Sequence, residues 1–370
     1  MTRPEWLADA PHNNLPILMG RNNFESTDVL RGCIGAKEAL AELRGACTHI
    51  QAAGLLIATL PLLEAQASSE VENIITTVDD LFRHIGTEDK AAPEIKEALR
   101  YRHALMEGAE QLKQRPLTTR TAEAVCSRIK GTVMAVRTVP GVKLANPSTG
   151  EVIYTPPQGE SKLRALLADW ERFSHEPPPP DELVRIAVAH YQFEAIHPFT
   201  DGNGRTGRIL ISLALIEAEL LPIPVLYLSR YILRSRAEYY RLLLDVTRHG
   251  TWEPWVLYML RGIEETARWT TGKVEAMREL ELATVAHVRR QLPKIYTREL
   301  VDLVFSGAYT RIDQLVSASG ITRQTASKHL HELERIGVVS KHAHGREVLF
   351  LNKRLLQLLT RDSNKFAAFD

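Results

Sequence analysis

The sequence predicts a mainly α-helical chain, with a small β-hairpin set into its middle and a winged helix-turn-helix at its C-terminal end. Three observations carry that expectation. From Asp28 to about Lys113 apolar residues recur three and four apart among helix formers, with hardly any β-branched alternation. Between Val139 and Pro157 the pattern changes: Val142, Leu144, Val152 and Tyr154 flank the turn-rich stretch Asn146 to Gly150, which reads as two short strands joined by a longer loop. After Arg311 a helical stretch to Ser319 meets Gly320 and then a second helical run from Thr322 to about Gly337, the pattern of helix, tight turn and helix.

Taken in order, the N-terminal helical region covers 1–110. A central core follows over 111–268. Within it the proline run Pro177 to Pro180 stiffens the chain, and Asp181 and Glu182 suit the first turn of a helix that runs to about Ile196. A second helix begins near Arg205, and further helical segments lie at Arg236 to His249 and Trp252 to Arg268. The C-terminal unit covers 285–355. In its second helix Ala326, Leu330, Leu333 and Ile336 share one face, while Arg323, Gln324, Ser327 and Lys328 point elsewhere, where a recognition helix would present them. Val338 to Lys341 and Arg346 to Leu351, around a turn at His344 and Gly345, supply two strands of a wing.

Composition narrows the function classes. A length of 370 residues exceeds what one core usually supports, and 44% hydrophobic residues, 25% charged residues and a net charge of +1 describe an ordinary soluble protein with no strong call on nucleic acid or membrane. The first residues carry no secretory pattern, so a cytoplasmic location is expected. Cys33, Cys47 and Cys126 lack metal-type spacing and read as buried thiols. The most apolar stretch, Ile209 to Leu228, contains Glu217, Glu219, Pro222 and Pro224 and fails as a membrane span.

The chemistry concentrates at His197-Pro-Phe-Thr-Asp-Gly-Asn-Gly-Arg-Thr-Gly-Arg208. A residue before proline is pushed out of the helical region, so His197 should stand where the preceding helix ends. Gly202 and Gly204 flank Asn203 and let successive N–H groups turn toward one point, an anion nest, and the helix that starts there adds its free N–H groups and positive dipole end. Arg205 and Arg208 bring guanidinium groups suited to polyphosphate oxygens, and Asp201 brings one carboxylate of the kind that holds Mg²⁺ together with substrate phosphates. Gly202, Gly204 and Gly207 also satisfy the three-glycine dinucleotide pattern, but a helix and a His-Pro step precede them where that fingerprint needs a strand. No Gly-Lys-Ser/Thr sequence of a Walker loop is present. The bland reading of His197 and Asp201 as turn-stabilising residues is outweighed by a base, an acid, glycines and two arginines within one short segment.

This segment matches, at every defined position, the Fic signature His-x-Phe-x-Asp/Glu-Gly-Asn-Gly-Arg-x-x-Arg, and the chain resembles that family over most of its length. The resemblance implies a helical Fic-type core, with the hairpin as a target-docking flap, and a protein adenylyltransferase that uses ATP and Mg²⁺. It would make His197 the general base and Asp201 the metal ligand. Asn203 would position phosphates, held by Gly202, Gly204, Arg205, Thr206, Gly207 and Arg208. Tyr240 would face the nucleoside. The target would be a protein with a Tyr, Thr or Ser hydroxyl, the chain itself included, and a homodimer is expected.

Upstream, Ser68 to Asn73 matches the family's inhibitory pattern, Ser or Thr, three residues, then Glu-Gly or Glu-Asn. By resemblance Glu72 would pair with Arg208 and deny it to the γ-phosphate, with Ser68 and Asn73 as the flanking motif residues. From the local sequence alone, Ser69 to Glu72 reads first as a capping box at the start of a helix, and only the resemblance turns that around.

Two other readings stay open. One is a DNA-binding regulator with a nucleotide-sensing Fic-like domain, in which Arg323, Lys328, Arg335, Lys341, Arg346, Lys353 and Arg354 meet phosphates. The other is family chemistry of a different kind, such as phosphorylation or the removal of AMP with Glu72 orienting water.

Overall fold

Two helices packed side by side carry the glycine-rich loop between them: α7 (Glu182–Ile196) ends at His197 and α8 (Asn203–Glu217) begins six residues later. This computed structural model describes residues 6–20, 24–48, 53–146, 149–175, 180–344 and 347–369. The proline run over 177–179, the loop positions 147–148 and the wing turn at 345–346 lie outside the described residues.

Helix α7 starts where Asp181 accepts from the Leu183 N–H at 3.0 Å, and Lys37 ties Asp181 and Glu182 together at 2.6 and 2.8 Å. It is apolar nearly all round, as a central helix must be, burying Leu183, Val184, Ala187, Val188, Tyr191 and Ile196. Each such side chain contributes roughly 1.5–3 kcal/mol by leaving water. Two indoles clamp it from opposite neighbours: Trp170 on α6 (Glu160–His175) donates to the Ala189 carbonyl at 3.0 Å, and Trp255 on α11 (Trp252–Gln291) donates to that of Ala187 at 2.8 Å.

Around this pair stand α1 (Thr27–Thr48), packed along α11, and α2 (Ala53–Val71), packed on α4 (Pro93–Gln111) and on α9 (Leu228–Arg234). Helix α3 (Val78–His84) follows α2, α5 (Thr119–Lys130) lies against α4 and α8, and α10 (Arg236–His249) leads into α11. The hairpin is short: β1 (Leu144–Ala145) pairs antiparallel with β2 (Val152–Tyr154), Leu144 opposite Tyr154. The Tyr154 hydroxyl anchors it to α7 by donating to the Ala195 carbonyl at 2.7 Å.

Helix α11 departs from expectation. The sequence reading stopped it at Arg268, whereas it runs unbroken to Gln291 because no proline interrupts 269–291 and Gly272 alone is tolerated inside a buried helix. It thereby carries the chain from the core into the C-terminal unit. There α12 (Arg298–Phe305), β3 (Tyr309–Arg311), α13 (Ile312–Ser319), α14 (Arg323–Arg335), β4 (Ser340–His344), β5 (Glu347–Leu351) and α15 (Lys353–Thr360) follow, with the sheet in the order β3-β5-β4. Gly320 turns between α13 and α14 at φ 67°, and Ala326, Leu330 and Leu333 form the buried face of α14. The buried Lys273 of α11 donates to the carbonyls of Leu358, Arg361 and Ser363, an ammonium placed at the C-terminal end of α15.

The N-terminal unit and the C-terminal unit touch directly. Tyr309 donates to Asp79 at 2.7 Å, and Arg311 donates to the carbonyls of Arg83 and Ile85 at 2.7 and 3.0 Å. Cys33, Cys47 and Cys126 are buried free thiols. Among the described residues no helix is long and apolar enough to cross a membrane.

Candidate active site

His197 caps α7 in a left-handed conformation, φ 50° and ψ 61°, its N–H still bonded to the Phe193 carbonyl at 3.0 Å. That geometry turns the chain sharply out of the helix and sets the imidazole at the mouth of the loop. Arg137, which the sequence reading passed over, fixes the turn from behind: Nε donates to the His197 carbonyl at 2.8 Å, and Nη2 to those of Pro157 and Ile196 at 2.5 and 3.3 Å. Burial lowers the His197 imidazole to about 4, with the Glu194 carbonyl acting in the opposite sense. The ring is therefore neutral and able to accept a proton at neutral pH.

The loop closes through Asn203. Its Oδ1 accepts from the Phe199 N–H at 2.8 Å and its Nδ2 donates to the Phe199 carbonyl at 2.9 Å, so this amide shapes the loop. Gly202 stands at φ 81° before the first turn of α8, and a Cβ there would come 3.3 Å from the Cys126 sulfur. Gly204 lies under the Glu72 carboxylate, and Gly207 under the carboxyl of Glu194. Thr206 is buried at the start of α8, between the two arginines.

Arg205 and Arg208 serve different partners. Arg205, buried, bonds Glu97 at 2.6 Å; Glu97 also accepts from Lys130 at 2.9 Å, and Lys130 reaches Asp201 at 2.6 Å. Burial would raise the Glu97 and Asp201 carboxyls, but Arg205 and Lys130 beside them hold both below the usual range. Asp201 is 61% exposed, and among the described residues no group of three or more metal-ligating side chains gathers. A lone exposed carboxylate beside an anion cradle suits a hydrated Mg²⁺ shared with phosphates and not an all-protein cage.

Arg208 donates from Nε to the Ser68 hydroxyl at 2.8 Å, and from Nη2 to the Ser68 carbonyl and to Glu72, both at 2.9 Å. Burial works against its charge, yet Glu72 more than compensates and raises it above the usual range. The capping-box alternative is overturned, because Ser68 to Asn73 end α2 and do not begin a helix. Asn73 at φ 61° and the bonds Asn73 N–H to Glu70 and Ile74 N–H to Ser69, 2.9 and 3.0 Å, form a Schellman turn. Arg236 donates to Asn73 at 2.9 Å and lies 5.8 Å over the ring of Tyr240, which stands 42% exposed at the rim.

Comparison with known proteins matches both ends of the chain to domains of one family. Residues 30–110 match the Fic/DOC family N-terminal model, and residues 280–355 match the model described as protein adenylyltransferase SoFic-like, C-terminal domain. Both matched models describe Fic-type domains, one near each end of the chain. The chain is similar to the protein adenylyltransferase fic-1 of Caenorhabditis briggsae, 33% identical over 33% of this chain and 23% of that protein. It is also similar to the protein adenylyltransferase Fic of Nematostella vectensis, 32% identical over 30% of this chain and 25% of that protein. The matches thus span about a quarter of those relatives' lengths. The fold is that of a Fic family protein from Desulfovibrio desulfuricans G20, with TM-score 0.52, 20% identity and coverage of 89% of this chain and 97% of that one.

The loop from His197 to Arg208 thus brings together His197, Asp201, the glycines and the two arginines, with Ser68 arriving from α2 and Glu72 from the turn that ends it. Sequence reasoning missed Glu97, Lys130, Arg137 and Glu194 around that loop. Glu194 carried one readable signal, a carboxyl in the mostly apolar second half of its helix, three positions before His197. The other three lie far from the motif along the chain and meet it only in the fold.

Proposed function

We propose that this chain is a protein adenylyltransferase, moving AMP from ATP onto a Tyr, Thr or Ser hydroxyl of a protein, its own chain included, and restrained by Glu72. One observation carries the reading: a neutral imidazole stands beside a helix N-terminus bare of side chains at Gly202 and Gly204 and flanked by two buried guanidinium groups. Such a site offers a proton acceptor and a cradle for a polyphosphate together. The names of the related proteins support the same chemistry.

His197 would take the proton of the incoming hydroxyl as its oxygen bonds to the α-phosphorus. The bond to the bridging oxygen breaks, pyrophosphate leaves with that electron pair, and the proton on His197 passes to solvent. A positioned base supplies roughly 10²–10⁴-fold and a preorganised electrostatic cradle commonly more. The N–H groups at Gly202 to Arg205 and the guanidinium of Arg205 would hold phosphate oxygens, and Tyr240 would border the nucleoside. Mg²⁺, when bound at Asp201, would spread phosphate charge. Glu72 on Arg208 keeps that guanidinium from a terminal phosphate.

Intact-protein mass after incubation with ATP and Mg²⁺ tests this on wild type, Glu72→Gly, and Glu72→Gly with His197→Ala. An AMP adduct that grows in the first variant and vanishes in the second is expected; no adduct in any of them refutes the activity.

We read 285–355 as a winged helix-turn-helix that binds a partner. Arg323 is paired with Asp313 and Arg335 with Glu332, which supports a protein over DNA, since two of the three basic residues of α14 are already answered. Retention of salt-dependent DNA binding would reverse that preference. A cytoplasmic homodimer completes the proposal, with sedimentation at several concentrations as its test.

A further inference from the structure

Two carboxyl groups line one face of α8. A Cβ at Gly204 would run into the Glu72 carboxylate, and a Cβ at Gly207 into the carboxyl of Glu194. Residues three apart on a helix are surface neighbours, roughly 5–6 Å apart. Arg208 belongs to the same cluster, and its guanidinium is already bound to Glu72 and Ser68. Glu194 is left over, with Oε1 buried and without a partner.

A second carboxylate beside a guanidinium that another acid has claimed is held in its protonated form. Burial pushes the Glu194 carboxyl up to about 8; Arg208 pulls the other way, and Glu72 adds to the rise. The remaining groups that face it are Tyr239 and Tyr240 from α10 and His190 from its own helix. Burial keeps both phenols and the His190 imidazole uncharged at neutral pH, so Arg208 and Glu72 are the charges that set its state.

When Glu72 leaves Arg208, a phosphate taking its place on the guanidinium would lie on the face of α8 that Glu194 also covers. An ionised Glu194 would repel that phosphate, whereas a protonated one brings an O–H donor, and its Oε1 has no partner. We propose that Glu194 is a further nucleotide-binding residue, which donates a hydrogen bond as a neutral carboxylic acid to the terminal phosphate held by Arg208. The inference rests on the adenylyltransferase reading for the identity of the nucleotide. Loss of the Glu194 proton then costs nucleotide affinity, so binding weakens as pH rises.

The test uses the full chain carrying Glu72→Gly. Affinities for a non-hydrolysable ATP analogue and for AMP are measured from about pH 7 to 9.5, where a terminal phosphate is already ionised. Above the Glu194 titration the affinity for the analogue should fall toward tenfold per pH unit, while that for AMP, which lacks the terminal phosphate, stays level. Glu194→Gln keeps a donor and loses the titration, so it should bind the analogue equally across the range. Glu194→Leu should weaken the analogue roughly tenfold at every pH up to 8, with AMP unaffected. Unchanged analogue affinity in Glu194→Leu, or a pH dependence that survives Glu194→Gln, overturns the proposal. The two readings separate cleanly. An AMP adduct in the Glu72→Gly chain with binding indifferent to Glu194 keeps the activity and removes this inference; the Glu194 effects without any adduct do the reverse.

Discussion

Arg137 donates through Nε to the carbonyl oxygen of His197 at 2.8 Å, and through Nη2 to that of Pro157 at 2.5 Å. One buried guanidinium thus joins the backbone of His197 to the segment that follows the β1–β2 hairpin. Replacement by Met keeps much of the apolar stem but leaves buried carbonyls unpaired. Arg137→Met should lose about 1–3 kcal/mol of stability and lower kcat for AMP transfer with little change in KM for ATP. Thermal unfolding and steady-state rates check both halves, and an equal loss in KM would mean that the residue serves nucleotide binding instead.

The restraint proposed for Glu72 would depend on a backbone turn as well as on an ion pair. Asn73 holds φ 61° and accepts from Arg236 at 2.9 Å, so the carboxylate is delivered to Arg208 by a left-handed residue. Glycine adopts that conformation freely and asparagine tolerates it, whereas a β-branched residue is penalised by roughly 1–2 kcal/mol. Asn73→Gly should remain nearly as restrained as the parent, and Asn73→Val should gain AMP transfer toward the level of Glu72→Gly. Rates for the three variants side by side give the ordering; equal rates in the Gly and Val variants would remove the turn from the account.

Much of this was written in the chain locally. The His-Pro step, the glycines around Asn203 and the apolar spacing of α7 are short-range signals, and they placed the loop between two helices. The same local reasoning left Ser69 to Glu72 ambiguous, because a capping box and a Schellman end share residue types and differ only in which side the helix lies. Arg137, Glu97 and Lys130 were out of reach for another reason. Each acts across 33 to 108 residues of chain, through Lys130 to Glu97, Arg137 to His197 and Arg205 to Glu97, and no periodicity records such pairings. Helix α11 was cut short since a stop was assumed where the motif-bearing core ended, although nothing in 269–291 breaks a helix.

The imidazoles give a pH signature. His197 is lowered from 6.5 to about 4, so its proton-accepting form persists from pH 8 down to about 5, and kcat should stay level there and fall only nearer pH 4. A base with an ordinary pKa would lose half its activity near pH 6.5. Stability carries the matching sign. His190, lowered to about 3, is neutral when folded but protonates near 6.5 when unfolded, so the unfolded state binds more protons in between. Its contribution is complete above 6.5 and is lost as pH falls through that window, by up to about 1.4 kcal/mol per pH unit. Glu194, raised to about 8, acts with the opposite sign, its contribution lost as pH rises from 4.5 through 8. Urea unfolding at pH 5, 6, 7 and 8, in parent and Glu194→Gln chains, separates the two.

The C-terminal unit grips the segment that follows the Glu72 turn. Tyr309 bonds Asp79, and Arg311 bonds the carbonyls of Arg83 and Ile85, so α3 is held at both its first turn and its last. On its other side α2 is fixed by Glu64, which accepts from Tyr101 at 3.0 Å and from the Ser229 N–H at 3.0 Å. Between these two anchors, 72–77 is the short stretch left to carry any movement of Glu72. Releasing one anchor should therefore loosen that stretch without unfolding α2. In Arg311→Ala with Tyr309→Phe, amide exchange should quicken at 72–84 by about 5- to 30-fold, the equivalent of 1–2 kcal/mol of lost local protection, while the amides of 60–68 keep their parental rates. Faster exchange throughout α2 would mean that the N-terminal unit yields as a whole, and unchanged exchange at 72–84 would mean that the contacts with β3 do not hold α3 in place.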